Sequence, residues 1–334
     1  MKSKFIRCIT IISAICFVMF MFTIGPVIAN EKVTWVLGQA QATDHPWSIA
    51  IRNMVERINE QTEGKFIIEQ HVGGILGGEY DVYDQMVEGI IQMQLGGPGC
   101  PGRYIDKFNA LQLNYFYSGP EHMQRVKDLP IIKELFQQEI DEKGIRTLDI
   151  WYYGTRHLTA NSPVYTPDDL KGLKIRSQDT PFHLANTSSL GCDVTPVAFA
   201  ELYMALQTGV VDGQENPLPT IYAQKFYEVQ DYLILTAHKP HGGIMEVTEK
   251  AWQALPSEFK DVLVKELTKA RIEAEQMIIE QEEELVNILS EKYGIKVIYP
   301  DVEKFRDHYF QTMMVEKGYG DKYRSIYEAV QEVR

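Results

Sequence analysis

One uninterrupted helical pattern, from about Ser257 to Tyr293, most constrains how this chain can fold. Apolar residues recur along one face of it, and Gly294 follows as a C-terminal stop. At 1.5 Å per residue such a helix would be roughly 55 Å long, which exceeds the width of one small domain. The apolar stripe lacks the strict heptad repeat of a coiled-coil arm. The pattern therefore predicts a helix that lies across two domains, with its acidic run at 280–284 facing solvent.

Short β-rich apolar runs alternate with amphipathic helical patterns through the rest of the chain. This alternation is interrupted once and restarts after Gly144, where Thr166 and Pro167 mark a helix start. We predict strands at 33–38, 66–68, 90–95, 146–153, 173–176 and 210–213, and helices at 47–62, 79–88 and 199–208. Strands that alternate with helices indicate an α/β fold with a mostly parallel sheet covered on both faces.

The first thirty residues have the features of a secretory signal peptide. Three basic residues precede an apolar stretch from about Ile9 to Ile24, and Gly25-Pro26 and a small-residue site at 27–29 follow it. The sequence therefore predicts export and cleavage after about Ala29. An uncleaved anchor helix is the alternative, because the apolar stretch nearly reaches the length that spans a bilayer.

The net negative charge of the chain argues against a nucleic-acid partner. The net charge is −13, and removal of the three basic leader residues would make it −16. A protein that binds nucleic acid needs basic patches to neutralise phosphates, so we expect no nucleic-acid partner. A small anion can still bind, because cations in a desolvated cleft outweigh surface charges that are screened beyond about 10 Å.

The sequence predicts neither a cofactor nor a metal site. His238 and His241 have no third ligand nearby in the sequence, and capping or core roles are commoner for such histidines. Only Cys100 and Cys192 follow the leader, so no disulfide framework is expected. Whether these two cysteines pair is left open.

Three polar side chains stand out because each is predicted near the end of a strand. Arg156 comes after the strand at 146–153, Arg176 ends the strand at 173–176, and Asn216 comes after the strand at 210–213. Ligands of open α/β sheets bind beyond the carboxyl ends of the strands. Two guanidinium groups and an amide at that edge suit a carboxylate, because each arginine offers a planar fork of donors. Ordinary surface arginines paired with acids such as Asp168 or Asp179 are the alternative.

Two runs resemble the DctP-type substrate-binding proteins of TRAP transporters, the tripartite ATP-independent periplasmic transporters. The runs are DDLKGLKIR at 168–176 and PVAFAELYMALQTGVVDGQENP at 196–217, and the second is long and highly specific. Weaker similarities at 45–46, 62–65, 76–79 and 252–256 extend the resemblance over essentially the whole mature chain. The resemblance is therefore to a complete family member.

The resemblance implies a periplasmic protein of two α/β lobes, of the periplasmic-binding-protein-like fold, in which a long helix spans both lobes. Closure around one organic carboxylate would precede its delivery to the small and large membrane subunits of the permease, and we expect a monomer that is not an enzyme. In the family, the arginine that matches Arg176 makes the main salt bridge to the ligand. The arginine at Arg156 assists, the asparagine falls on Asn216, and an aromatic residue matching Phe199 packs beside the ligand.

The same resemblance predicts how the chain divides. Lobe I would comprise 30–153 and 242–281, and lobe II would comprise 154–241 and 282–334. The hinges would lie near 153–155 and 240–243, and the helix at 257–293 would bridge both lobes. Residues 96–102 are rich in Gly and Pro and lack the acidic or hydroxyl side chain that some relatives place there. Which first-lobe groups contact the rest of the ligand is therefore left open.

Two further residues are weaker candidates, and two other functions remain as alternatives. Gln39 and His45 follow the first strand and could line the cleft, although a structural role is the commoner one. One alternative is a hydrolase or lyase acting on a sugar acid, which would need two acids in the cleft with separated pKa values. Its candidate acids are Glu201, Asp212 and Glu215. The other alternative is a sensor subunit that presents the same ligand to a membrane receptor.

Overall fold

The computed structural model describes residues 32–334, so the predicted signal peptide at 1–29 lies outside the described residues. The strands are β1 (Val33–Gly38), β2 (Phe66–His71), β3 (Met93–Gly96), β4 (Ile145–Ala160), β5 (Lys174–Ser177), β6 (Asp193–Pro196), β7 (Gly213–Pro217), β8 (Tyr232–Thr248) and β9 (Lys296–Ile298). The helices are α1 (Pro46–Gln61), α2 (Glu79–Val87), α3 (Gly99–Gly102), α4 (Pro120–Lys127), α5 (Pro130–Lys143), α6 (Pro181–Ser188), α7 (Leu202–Gln207), α8 (Leu218–Ala223), α9 (Glu249–Ala254), α10 (Ser257–Asn287), α11 (Val302–Tyr309), α12 (Tyr319–Lys322) and α13 (Arg324–Glu332). The predicted α/β class is confirmed.

All nine strands of the described chain belong to one mixed sheet. Its order is β2-β1-β3-β8-β4-β7-β5-β6, and β9 pairs with β8. The pairs β1–β2, β1–β3, β5–β6, β5–β7 and β8–β9 are parallel, whereas β3–β8, β4–β8 and β4–β7 are antiparallel. Parallel strands with helical connections dominate both ends of the sheet, as predicted, and the long antiparallel strands β4 and β8 join them.

Strand β4 corrects one predicted boundary. The sequence predicted that the strand ends at Tyr153, but β4 continues to Ala160, so Arg156 lies within the strand rather than after it. Gly154, with φ of +111°, suggested a stop, but it forms a bulge where the pairing with β8 shifts between Tyr152 and Gly154. A bulge bends a strand without ending it.

Strand β7 corrects a second boundary. The predicted strand at 210–213 is a turn, and the strand runs from Gly213 to Pro217, so Asn216 also lies within a strand. The apolar pair Val210-Val211 suggested a strand, but Val210 is half exposed while Val211 fills the core beneath α7. Gly213 permits close strand packing, because a Cβ there would lie 2.3 Å from the carbonyl oxygen of Thr159.

The long helix begins at Ser257, as predicted. It is α-helical to Asn287 and continues as a π-helical turn over Ile288–Lys292 before Gly294, which has φ of +77°. Near its start it packs on α1, where Arg57 binds Glu266 and Glu273 at 2.6 and 2.9 Å. Near its end Glu282 accepts a hydrogen bond from the hydroxyl of Tyr152 at 2.8 Å. The helix therefore supports successive parts of the sheet along its whole length.

The C-terminal helix α13 packs on the segment that precedes α5. The backbone carbonyl of Val330 contacts His122 Nε2 at 2.9 Å, and that of Val333 accepts a hydrogen bond from Arg125 at 2.7 Å. Gln331 donates to the carbonyl of Phe116 at 3.0 Å. This helix therefore contacts residues that the sequence assigned to lobe I, although its own residues were assigned to lobe II.

No helix within residues 32–334 is long and apolar enough to cross a membrane. Cys100 and Cys192 are both buried, and each is a free thiol. The question that the sequence left open is thereby answered, because the two cysteines do not form a disulfide. Burial raises the pKa of both thiols, so neither is an activated nucleophile.

Two fully buried carboxyl groups, Glu139 and Glu246, lie together behind the sheet. Glu139 accepts hydrogen bonds from the Tyr83 hydroxyl at 3.0 Å and from Thr147 at 2.8 Å, and Glu246 accepts one from Gln94 at 2.6 Å. Burial raises the pKa of Glu139 to about 7, and burial together with Glu139 raises that of Glu246 well above its ordinary value. The pair therefore holds a proton at pH values where an exposed glutamate has lost it.

This pair predicts a pH-dependent effect of Glu139→Gln. The folded protein keeps a proton that the unfolded chain releases above pH 4.5, so this contribution to stability is complete below pH 4.5 and is lost as the pH rises through about 7. Relative to the unsubstituted protein, the variant should gain about 3 kcal/mol more in free energy of unfolding at pH 8 than at pH 4.5. Urea titrations at both pH values measure this, with Glu134→Gln, an exposed residue of α5, as the control. A difference that does not vary with pH would contradict the expectation.

Candidate functional site

A cavity of about 470 Å³ lies where β4, β5, β7 and β8 meet the segments that follow β1, β2 and β3. Residues from both ends of the sheet line it. The charged groups with limited exposure among them are Glu79, Arg156, Arg176, Glu215 and Lys239. The acids Asp81, Asp179 and Glu201 also reach the cavity but are exposed.

The structure brings together four of the six residues that the sequence proposed as ligand contacts. Arg156, Arg176, Phe199 and Asn216 all line the cavity. Their strands β4, β7 and β5 are neighbours in the sheet, which explains how residues 60 positions apart in the chain meet. The prediction that these side chains converge is therefore consistent with the fold.

Gln39 and His45 do not line the cavity. Gln39 donates to Ser48 at 2.7 Å and accepts from Gln70 at 3.0 Å, so both ends of its amide are used within the first part of the chain. His45 caps α1 by accepting a hydrogen bond from the backbone N–H of Trp47 at 3.1 Å, and its ring stacks on Tyr153. Their surroundings give both residues structural roles.

Arg176 is the buried cation with the clearest unused capacity. It lies within β5, is 5% exposed, and its Nε donates to the carbonyl of Val197 at 2.8 Å. Its guanidinium carbon lies 5.8 Å from the ring centre of Phe199. Within residues 32–334 no carboxylate forms an ion pair with it, and neither Nη atom makes a hydrogen bond. Burial lowers the pKa of Arg176 to about 10, so it stays charged and retains free donors at neutral pH.

Arg156, by contrast, is already paired. Its Nε and Nη2 bind the two carboxylate oxygens of Glu215, the latter at 2.9 Å, and Nη2 also donates to the Glu215 carbonyl at 2.6 Å. Although burial alone would raise the pKa of Glu215, the charge of Arg156 and the hydrogen bond with His238 hold it well below its usual range. Glu215 thus cancels the charge of Arg156. The sequence suggested two free guanidinium groups, and the geometry provides one free group and one neutralised group.

Asn216 is oriented by a chain of buried polar side chains. Its Nδ2 donates to Gln214 Oε1 at 2.6 Å, Gln214 donates to the Thr159 hydroxyl at 3.0 Å, and Thr159 donates to Gln230 at 2.9 Å. This chain uses the Asn216 N–H and leaves Oδ1, which makes no hydrogen bond with the residues the structure describes. Asn216 can therefore accept a hydrogen bond from a hydroxyl group of a ligand.

Several cavity-lining side chains were not suggested by the sequence. Glu79, the first residue of α2, accepts hydrogen bonds from the backbone N–H of Gly97 at 3.0 Å and from the Gln178 amide. The Tyr80 hydroxyl donates to Gln178 at 3.3 Å, and His183 Nε2 lies 3.0 Å from Gln112 Oε1. The first-lobe side chains that the Gly-rich segment 96–102 lacks thus come largely from α2. The Gly77-Gly78-Glu79 run was the available signal.

Lys239 is a further cavity residue that the sequence did not suggest. It lies within β8, opposite Arg156 in the strand pairing, and is 4% exposed. Burial, followed by repulsion from Arg156, lowers the pKa of Lys239 to about 7. The cavity-lining imidazoles of His183 and His241 have pKa values well below the ordinary one because of burial, so both rings are neutral at pH 7. Within residues 32–334 no group of three or more His, Cys, Asp or Glu side chains could hold a metal ion.

Comparison with known proteins agrees with this geometry. A family model of the bacterial extracellular solute-binding proteins, family 7, matches residues 37–314. The sialic acid-binding periplasmic protein SiaP of Vibrio cholerae is 34% identical over 278 residues, which are 83% of this chain and 86% of that protein. SiaP is thus similar to this chain over most of both lengths.

Two crystal structures of TRAP periplasmic solute-binding proteins from Roseobacter denitrificans share the fold. One, with bound 3-deoxy-D-manno-oct-2-ulosonic acid (KDO), has a TM-score of 0.86 and 26% identity, and the match covers 91% of this chain and all 100% of that one. The other, with bound L-galactonate, has a TM-score of 0.83 and 28% identity over 90% and 99% of the two chains. From the family match, the relatives and the fold together, this chain belongs to the DctP family, family 7 of the bacterial extracellular solute-binding proteins, which are TRAP-type binding proteins.

Proposed function

We propose that this chain captures a small organic acid in the cavity and delivers it unaltered to the membrane subunits of a TRAP transporter in the periplasm. The observation that supports this best is Arg176, a buried guanidinium with two unused donor atoms and no carboxylate partner within the described chain. Burying a charge without a partner is costly, so such a group is expected to meet an anion that arrives as ligand. A carboxylate matches its planar fork.

The relatives support a carboxylate ligand. SiaP of Vibrio cholerae is named for sialic acid, and the two Roseobacter denitrificans proteins hold KDO and L-galactonate. All three ligands carry a carboxylate and several hydroxyl groups. Arg176 would bind the carboxylate, and Arg156 would donate a further hydrogen bond to the ligand from Nη1, which Glu215 does not use. Phe199 would pack beside the ligand, and Asn216 would accept a hydrogen bond from one of its hydroxyl groups.

We propose further that two lobes close on the ligand by bending at 153–155 and 240–243. The bulge at Gly154 and the facing pair Gly242-Gly243 lie where β4 pairs with β8, and glycine and bulged strands absorb changes in φ and ψ. Hydrogen bonds such as Tyr80–Gln178 and Glu79–Gln178 join the two walls of the cavity and would form on closure. The packing of α13 favours a revised division in which that helix moves with lobe I.

The alternative of a hydrolase or lyase gains no support from the candidate acids. Glu215 is held ionised by Arg156 and His238, so it is a poor proton donor. Asp212 accepts a hydrogen bond from the backbone N–H of Lys174 at 2.8 Å and is absent from the cavity lining, and Glu201 is exposed. The arrangement suits reversible binding better than acid–base catalysis.

A thermal-shift screen tests the proposal. Sialic acid, KDO, L-galactonate and simple dicarboxylates would be added to the mature protein, with galactose as the uncharged control. An acid at 1,000 times its Kd should add about 4 kcal/mol to the free energy of unfolding, whereas galactose should add nothing measurable. Recovery of the bound acid unchanged after long incubation, and uptake by the membrane subunits that requires this protein, would distinguish transport from catalysis and sensing. Failure of every acid to raise Tm would contradict the proposal.

A further inference from the structure

Lys239 presents a buried ammonium group for which the protein supplies no partner. Its side chain lines the cavity and is almost fully buried. Within the part of the chain that the structure describes, its Nζ forms neither a salt bridge nor a hydrogen bond. A buried ammonium group without a partner is costly, and a polar or anionic group that pairs with it stabilises it. The residue opposite it on the neighbouring strand β4 is Arg156, which is also cationic.

The charged and titratable groups around Lys239 do not neutralise it. Arg156 of β4 and Glu215 of β7 are bound to each other. His183 of α6 and His241 of β8 are neutral imidazoles, and Glu79 of α2 is occupied by Gly97 and Gln178. Lys239 therefore keeps its donors for a group that enters the cavity.

Three other polar atoms that line the cavity also lack hydrogen-bond partners among the described residues. Gln112 Nε2, His241 Nδ1 and Gln41 Oε1 are buried and make no hydrogen bond with any described residue. Buried polar atoms are nearly always satisfied in folded proteins, so several unpartnered atoms in one cavity point to a polar ligand. Lys239 and Gln112 supply donors, Gln41 supplies an acceptor, and His241 Nδ1 donates or accepts according to its tautomer, a combination that suits hydroxyl groups and other oxygen atoms.

Lys239 and Arg176 lie on strands that are not neighbours in the sheet. In the sheet β8 is separated from β5 by β4 and β7, so the two backbones are about 14 Å apart at the usual strand spacing. The Arg156–Glu215 pair lies on the strands between them. A ligand whose carboxylate meets Arg176 would therefore present its far end to Lys239.

The charge balance restricts what that far end can be. Arg156 and Glu215 cancel, Arg176 and Glu79 carry opposite charges, and Lys239, with a pKa of about 7, adds at most one positive charge. With Lys239 protonated, a single carboxylate neutralises the cavity, and a second acid group would leave an excess negative charge in either protonation state of Lys239. Uncharged oxygen atoms at the far end, in hydroxyl or carbonyl groups, fit the donors without changing the balance.

We propose that Lys239, with Gln112 and His241, forms a second ligand-binding subsite that binds hydroxyl or carbonyl oxygens at the end of the acid opposite its carboxylate. This inference rests on the proposed function, and it makes Lys239 a residue that determines specificity. Acids that lack oxygen at the far end would bind through Arg176 alone.

Titration calorimetry with Lys239→Met tests the subsite. The probes are L-galactonate, KDO and sialic acid, and hexanoate serves as an acid of galactonate's length without hydroxyl groups. We expect Lys239→Met to weaken binding of the oxygenated acids at least tenfold and to leave any binding of hexanoate within twofold. Lys250→Met, which changes an exposed lysine of α9, should leave every affinity unchanged. Lys239→Gln, which keeps a donor without the charge, should retain part of the affinity and shows that the effect is not a folding defect.

The outcomes distinguish a failure of the subsite from a failure of the proposed function. Should oxygenated acids bind in an Arg176-dependent manner but equally well to Lys239→Met, the subsite is wrong and the proposed function stands. The subsite would also be overturned if Lys239→Met weakened the binding of hexanoate and L-galactonate equally. The same holds if the unsubstituted protein bound hexanoate more tightly than L-galactonate. If no acid binds the unsubstituted protein, the proposed function itself fails.

Discussion

Arg176→Ala should weaken the binding of an organic acid by about 2–5 kcal/mol, which corresponds to roughly 30-fold to several thousand-fold in Kd. The reason is that Arg176 is the buried guanidinium whose Nη atoms form neither a hydrogen bond nor a salt bridge within residues 32–334. Without it the carboxylate of the ligand would be desolvated in the closed cavity with no free guanidinium to replace water. The loss should appear mainly as faster dissociation.

Two further variants sharpen this measurement. Arg176→Lys should also bind poorly, because an ammonium group cannot reproduce two parallel hydrogen bonds or the contact with Val197 and Phe199. Arg52→Ala, which removes an exposed arginine of α1, is the matched control and should leave Kd unchanged. Calorimetry in which Arg176→Ala binds as tightly as the control would defeat the assignment.

Glu215→Gln should lower the free energy of unfolding by about 3–5 kcal/mol. The substitution keeps the size of the side chain but removes the negative charge that neutralises Arg156, which is 8% exposed. It also removes the charge that His238 Nε2 contacts at 3.1 Å. A buried cation left without its counterion costs far more than the net strength of the intact pair.

Urea denaturation at pH 7 measures this effect, and an exposed pair provides the control. Lys171 and Asp168 are 71% and 80% exposed in their side chains, so Asp168→Asn should change the free energy of unfolding by less than about 1 kcal/mol. Because Glu215→Gln frees the Arg156 guanidinium, a bound organic acid should also stabilise this variant more than the unsubstituted protein. Equal stability of Glu215→Gln and the unsubstituted protein would show that the pair is not needed to bury Arg156.

The parts of the fold that follow from local periodicity could be predicted from the sequence. The apolar stripe from Phe259 to Leu289 identified the long helix, and the capping residues Thr166 and Pro167 marked a turn of helix that the structure contains. Arg176 was placed at the end of its strand within one residue. In each case the signal is local, so neighbours in the sequence determine the structure.

The long strand β8 could not be predicted because its environment is set by the tertiary fold. Residues His238, Lys239, Pro240 and His241 followed by Gly242-Gly243 are a composition typical of loops. They nevertheless lie in a strand that pairs with β4, and two of them, Lys239 and His241, are buried and line the cavity. A polar segment that lines a buried ligand site and an exposed turn have the same sequence pattern. Lys239 could therefore not be identified from the sequence.

The ion pair between Arg156 and Glu215 could not be predicted from the sequence for a similar reason. The two residues are 59 positions apart, and their contact depends on the antiparallel pairing of β4 with β7. The sequence suggested β4 too short and β7 too early in the chain, because Gly154 and the exposed Val210 gave misleading boundaries. Which of several arginines carries a counterion is decided by strand register, and the sequence does not reveal that register.

If the proposed function is right, Arg176 binds the carboxylate of the ligand inside the closed cavity. A crystal structure of the mature protein grown with an acid that raises its Tm tests this directly. We expect a carboxylate whose oxygens lie about 2.7–3.2 Å from the two Nη atoms of Arg176. A ligand whose carboxylate lies elsewhere in the cavity, with Arg176 still bonded only to the carbonyl of Val197, would contradict it.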